Sequence, residues 1–193
     1  MIRRLYDWTM SQAEGPRALW ALALVSFIES SIFPIPPDVL MIPMILAAPH
    51  RAWLIAGVCT VASVVGGVAG YGIGYLAFES IGQPVLEFYG KMDKFEAFKA
   101  YFAEYGFWAV SGAGLTPFPY KVITIASGAV SLDMTTFILA SIAGRAPRFF
   151  VIALLLWKFG APIRAFIERW LGLLTVIFFV LLFGGFIALR YLI

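Results

Sequence analysis

The chain has 193 residues, 62% hydrophobic and 13% charged, with a mean hydropathy of +0.91. Soluble domains are roughly 45–50% apolar, so this composition excludes a water-soluble enzyme or binding module and indicates an integral membrane protein. The net charge of +3 is scattered over loops with no basic run bearing interleaved aromatics, which argues against nucleic acid; one cysteine, Cys59, excludes an intramolecular disulfide and a thiolate metal site.

Residues 1–17 are predicted to be an N-terminal interfacial segment. Tyr6, Trp8 and Met10 among Arg3, Arg4, Asp7, Glu14 and Arg17 suit an amphipathic helix on the membrane surface, with a frayed terminus as the alternative. No signal-peptide cleavage is expected, because the small pair Ala47-Ala48 runs into Pro49.

Residues 18–193 are predicted to be a single transmembrane domain. Repeat one, 18–79, opens with 11 uncharged residues (18–28) and Glu29. It then breaks at Phe33-Pro34-Ile35-Pro36-Pro37-Asp38 and resumes with 11 uncharged residues (39–49). Residues 52–78 follow without a charge, 27 in all, more than the roughly 20 needed to cross a bilayer. Within them Ala62, Gly66, Gly70 and Gly74 recur every four residues, a small-residue stripe for close helix packing. The run Gly70-Tyr71-Gly72-Ile73-Gly74 lacks the spacing and the preceding strand of a nucleotide loop. Cys59 reads as a packing residue and His50, the single histidine, as interfacial.

The linker, 80–104, places Phe88, Met92, Phe95, Phe98 and Phe102 at helical spacing with Lys91, Lys94 and Lys99 between them. It is predicted to be one amphipathic connecting helix. Repeat two, 105–158, breaks at Gly112, Gly114, Thr116-Pro117-Phe118-Pro119-Tyr120-Lys121, then continues for 11 uncharged residues (122–132). Residues 134–157 have the length of a span but carry Arg145 and Arg148 around Pro147. A C-terminal transmembrane helix is predicted over 170–192, whose residues 170–189 are 20 without a charge.

The two Pro-x-Pro breaks lie 83 positions apart, and each leads through one ionisable residue into an apolar arm. Eleven helical residues measure about 16 Å, half the roughly 30 Å hydrocarbon core, which suits a hairpin that dips in and returns. Backbone freed by Pro34, Pro36, Pro117 and Pro119 must be buried in protein or line a watery cavity, since lipid offers no hydrogen bonds. One crossing separates the breaks, so two hairpins would enter from opposite faces. The expected fold is therefore an all-α polytopic membrane protein, an inverted repeat with two re-entrant helical hairpins plus about three full transmembrane helices. Lys and Arg then divide 7 against 4 with the N-terminus cytoplasmic; full crossings of both broken segments would divide them 9 against 2, closer to the positive-inside bias. Arm length and the prolines decide for hairpins.

Glu29, Asp38, Lys121, Arg145 and Arg148 are the ionisable residues at membrane depth. Each costs about 2.5–3.5 kcal/mol at the bilayer centre, so they should pair or face water. As a site, the acids would relay protons or bind a polar substrate head, and the bases would hold an anion such as phosphate. As plain structure, Glu29 or Asp38 would pair with Arg145 and lock the halves together. Arg145 and Arg148, three apart, share a helix face, and Gly144 and Pro147 are expected to kink that helix.

These residues resemble the DedA superfamily, the bacterial branch of the proteins with a VTT (SNARE-associated) domain, and within it the short YqaA-like branch. The resemblance rests on Phe27-Ile28-Glu29 before Pro34-x-Pro36-x-Asp38, on Gly66-x3-Gly70-Tyr71-x-Ile73-Gly74, and on Pro117-Phe118-Pro119-Tyr120-Lys121 through Ser127-Gly128. It continues with Phe137, Ser141 and Gly144-Arg145-Ala146-Pro147-Arg148-Phe149. It implies a polytopic bacterial inner-membrane protein that moves or scrambles lipids, phospholipid or polyprenyl phosphate, in some members with proton coupling. The family's membrane acids map to Glu29 and Asp38. Its usual arginine before the second proline is absent, since Gly114-Leu115-Thr116 stand there, and Lys121 occupies a place where arginine is common.

The expected function is a lipid transporter or scramblase with membrane lipids, and protons in a coupled mechanism, as partners. The alternatives are a proton-coupled small-solute or ion transporter and a non-transporting scaffold. An enzyme is not expected, for want of a His/Cys metal cluster or a Ser/His/Asp set, and neither is a cofactor.

Overall fold

A computed structural model describes residues 16–32, 36–116, 118–160 and 162; residues 1–15 of the predicted N-terminal segment, Pro34, Pro117 and the predicted C-terminal helix lie outside the described residues, while Pro16 and Arg17 open the first helix. Helices and the turns that join them make up the described residues, and none of these is in a strand. Helix α1 is Pro16–Ser31 and α2 is Asp38–Ala47. A 3₁₀ turn, Pro49–Arg51, leads into α3, Ala52–Ala77, which passes through a π-helical turn, Phe78–Gly82, into α4, Gln83–Phe88. Then come α5, Met92–Leu115, and α6, Tyr120–Ala129, and finally α7, Met134–Gly160.

Two helical stretches are long and apolar enough to cross a membrane, the continuous 40 residues Pro49–Phe88 and the 27 residues of α7. Large apolar side chains on the outside fit a lipid solvent: Trp20 is 79% exposed, with Leu24, Val61, Leu76 and Leu139 also outward. The short helices α2 and α6 have 10 residues each, about 15 Å, half a hydrocarbon core.

The small-residue stripe is where the architecture closes. A Cβ on Gly66 would collide with the Phe27 carbonyl of α1, one on Gly70 with the Thr124 hydroxyl of α6, and one on Gly74 with the Ile125 carbonyl of α6. Gly128 in turn lies against the Tyr71 backbone. Helix α3 is thus clasped by α1 and α6 at backbone distance, which larger residues would forbid.

These pairings also give direction. Helix α1 runs alongside α3 from its beginning to its middle, where Ser30 meets Ser63, and α2 leads back to the end where α3 begins. Helix α5 descends from the other end, where Phe95 stacks on Phe78 at 4.4 Å. It reaches the middle of α7, where Gly114 touches Gly144. Helix α6 then returns along α3 from Gly67, beside Tyr120, to Gly74 and Tyr71. Both breaks therefore sit near mid-height of α3, and the two short helices leave it in opposite directions. Helix α7 is antiparallel to α3, with Phe137 5.2 Å from Tyr71 and Trp157 6.1 Å from Trp53.

One feature departs from the sequence reading. The linker is not one helix: its first part, through Phe88, prolongs α3, and its second opens α5, because the chain turns at Gly90, whose φ of +62° favours glycine. Phe102 is buried while Phe88 is exposed, so its aromatic positions do not share one face. Helix α7 is continuous through Gly144 and Pro147. Gly144 is the close contact between α7 and the Ser111 carbonyl of α5.

Candidate functional site

Two arginines of α7 meet two acids from either side of the first break. Arg145 is 1% exposed and forms an ion pair with Glu29 of α1, itself 15% exposed. Its Nε donates to Ser63 Oγ on α3 at 2.5 Å, and Nη2 also donates to Ser30 Oγ at 3.0 Å. The Ser30 and Ser63 hydroxyls are 2.7 Å apart, and Ser30 donates to Glu29 Oε2 at 3.1 Å. Rings cover the guanidinium, Tyr120 at 4.5 Å and Phe149 at 5.1 Å from Cζ to centroid. A planar, weakly hydrated fork is the cation best suited to such a place. The cluster joins α1, α3, α6 and α7.

The second pair is more open. Arg148 Nη2 donates to Asp38 Oδ2 at 2.7 Å, with exposures of 23% and 20%. Its other amino group makes a long 3.4 Å bond to the Thr116 carbonyl, beside the second break. Asp38 Oδ1 is buried without a hydrogen-bond partner among the described residues. An ionised oxygen left so is costly and has spare acceptor capacity for a proton or a donor.

Lys121 does not join Asp38. Its ammonium donates at 3.3 Å to the carbonyl of Ile32, the residue that ends the first helical arm. This is a backbone bond from one cassette to the other. The Thr124 hydroxyl repeats the link, lying 3.1 Å from the Ser30 carbonyl and 2.9 Å from that of Lys121. Pro36 accepts the Val39 N–H at 3.2 Å, and Pro119 is the extended residue that starts α6. Pro34 and Pro117 lie outside the described residues.

Sequence reasoning missed the hydroxyls. Ser30, Ser63, Thr124, Ser127 and Ser141 are buried, and Tyr120 donates to Ser141 Oγ at 2.5 Å, which donates on to the Phe137 carbonyl at 2.6 Å. The available signal was Ser63 in a span without charge and Ser30 next to an acid. Cys59 is buried, as expected of a packing residue, with its carbonyl accepting from Ser26 at 2.9 Å. His50 is exposed in the 3₁₀ turn.

Long apolar helices and two ion pairs, one closed and one part-open, beside two helix breaks define a membrane protein with an internal polar centre. The VTT domain model matches residues 35–158, more than half of the chain, and the protein belongs to this family, the DedA family. It is 36% identical over 168 residues to an uncharacterized protein of Haemophilus influenzae, covering 85% of this chain and 87% of that one. With an uncharacterized homologue from Histophilus somni it shares 39% identity over the same lengths and shares. No solved structure matches.

Proposed function

We propose that this protein moves lipid, phospholipid or polyprenyl phosphate, across the bacterial inner membrane as a transporter or scramblase, with proton coupling through its acids. It works without a catalytic step or a cofactor, and its N-terminus is cytoplasmic. The carrying observation is the Asp38–Arg148 pair, half-open between the two breaks, with one Asp38 oxygen buried and without a hydrogen-bond partner among the described residues. The α1–α2 and α5–α6 segments are read as re-entrant hairpins entering from opposite faces, the two halves of an inverted repeat. Their breaks near mid-height of α3 and the opposite departure of α2 and α6 support that reading, because irregular backbone at membrane depth belongs around a cavity.

The two ion pairs divide the work. Glu29–Arg145, closed by Ser30, Ser63 and two rings, holds the halves together. Asp38–Arg148 opens: an anionic headgroup takes the Arg148 fork, and the released Asp38 carboxylate takes a proton. Lys121 stands at the edge of the same region as a second cation. Purified protein in liposomes containing labelled phospholipid or polyprenyl phosphate should translocate label faster than empty vesicles; no excess with any lipid would refute the proposal.

A scaffold without transport is the second reading, favoured by the fact that both acids are already paired with arginines. Exchanging the charges of the outer pair, Asp38→Arg with Arg148→Asp, separates the two. Restored folding with restored cellular function would favour the scaffold; restored folding with lost translocation favours the working pair.

A further inference from the structure

The hydrogen bonds that join helices around the two breaks fall into two sets. Around the inner pair they are short and buried: Tyr120 to Ser141 and Arg145 Nε to Ser63 at 2.5 Å, and Ser30 with Ser63 at 2.7 Å. At the breaks themselves they are long and, among the described residues, exposed. Lys121 Nζ donates to the Ile32 carbonyl at 3.3 Å and Arg148 Nη1 to the Thr116 carbonyl at 3.4 Å, both beyond the roughly 2.7–3.2 Å of an ordinary N–H···O bond.

Each of these two cations bridges the broken segments. Ile32 follows the end of α1 and Lys121 lies in the first turn of α6, so one link runs between them. Arg148 reaches Thr116, just after the end of α5, with one amino group and Asp38, which opens α2, with the other. Two side chains thus tie the four helix ends at the breaks. Helix α1 has no basic residue in its own last turn, where a cation would balance the negative end of the helix; Lys121 supplies one from the other segment. The Thr124 hydroxyl adds a replaceable link. Its single proton is shared between the Ser30 carbonyl at 3.1 Å and the Lys121 carbonyl of its own helix at 2.9 Å.

We propose that Lys121 and Arg148 form a clasp across the two breaks, and that a lipid headgroup phosphate opens it by replacing the Ile32 and Thr116 carbonyls as their partner. The clasp rests on the reading of the outer pair as a headgroup site. A ligand shifts an equilibrium between two states only by its difference in affinity for them. Here the difference comes from the donors, which the closed state spends on two long carbonyl bonds. A phosphate oxygen offers a full charge at short range, and an arginine fork meets it with two parallel bonds. Opening strands little. Ile32 and Thr116 are exposed among the described residues, and Thr124 keeps the acceptor within its own helix.

With Cys59→Ala as background, Ile32→Cys and Phe118→Cys, 65% and 46% exposed, place spin labels on either side of the clasp and leave both cations intact. In nanodiscs of digalactosyldiacylglycerol, a lipid without phosphate, electron paramagnetic resonance should give a short distance between the labels, and added phosphatidic acid should lengthen it. Lys121→Met should give the longer distance in both lipids. A distance that phosphatidic acid leaves unchanged would overturn the clasp, and this comparison decides by itself if Lys121→Met does not accumulate. Lengthening by inorganic phosphate but not by phosphatidic acid would overturn the headgroup as the ligand. Joining the same two cysteines with a short bis-methanethiosulfonate should stop lipid translocation in liposomes, and a reductant should restore it; undiminished translocation by the joined protein would also overturn the clasp. If the unjoined protein moves no lipid, the transport reading falls, and the label distances alone decide the clasp.

Discussion

Arg145 and Arg148 are one helical turn apart on α7, yet the first is sealed by hydroxyls and rings while the second is partly open. Removing one member of a buried pair strands the other charge, a loss of about 3–5 kcal/mol. Arg145→Ala should therefore lower the melting temperature in detergent sharply. Arg145→Lys should recover little of it, because an ammonium cannot reach Ser63, Ser30 and Glu29 together or stack between Tyr120 and Phe149. Arg148→Ala and Asp38→Asn should shift it far less. At the surface, Asp133 caps the start of α7, accepting the Thr136 N–H at 2.8 Å and its hydroxyl at 3.0 Å. These bonds hold its carboxyl below the ordinary 3.8. The stabilisation is complete above that value and is lost as pH falls through the lower folded value. Between pH 5 and about 3 the wild type should lose slightly more melting temperature than Asp133→Asn, and equal slopes would refute the cap's role.

Among the helices, the α3 glycines provide a controlled comparison. Gly74→Ala drives a methyl into the Ile125 carbonyl, whereas Gly72→Ala points into open space. Overpacking of this kind costs about 1–3 kcal/mol, while an exposed helical glycine replaced by alanine gains up to about 1 kcal/mol. Thermal unfolding of the two variants should move in opposite directions. This interface was legible in the sequence because a four-residue repeat of small residues has few uses other than close packing. The short arms were legible through Pro36, Pro119 and the charges beside them. The linker was not, since its aromatics kept helical spacing straight across Gly90, and a single positive φ overrides periodicity. Which acid meets which arginine was not legible either: spacing sets both arginines on one face, but only the tertiary approach of α1 and α2 assigns Glu29 to one and Asp38 to the other. Lys121 illustrates the same limit, its ammonium held by the Ile32 carbonyl rather than by an acid.

Across the whole molecule, two broken helical segments approach a common centre from opposite ends of α3. Cysteines at Ala47 and Ser131, after Cys59→Ala, should be labelled by an impermeant maleimide from opposite sides of the membrane; labelling from one side would mean full crossings and a parallel repeat. If the centre works as argued, stability and transport separate by residue, since the inner pair holds the fold and the outer pair handles the headgroup. The decisive measurement is the rate of lipid translocation by Asp38→Asn in liposomes, compared with wild type at equal reconstituted amount. We predict at least a tenfold lower rate with a melting temperature near that of the wild type; wild-type translocation by this variant would contradict the account.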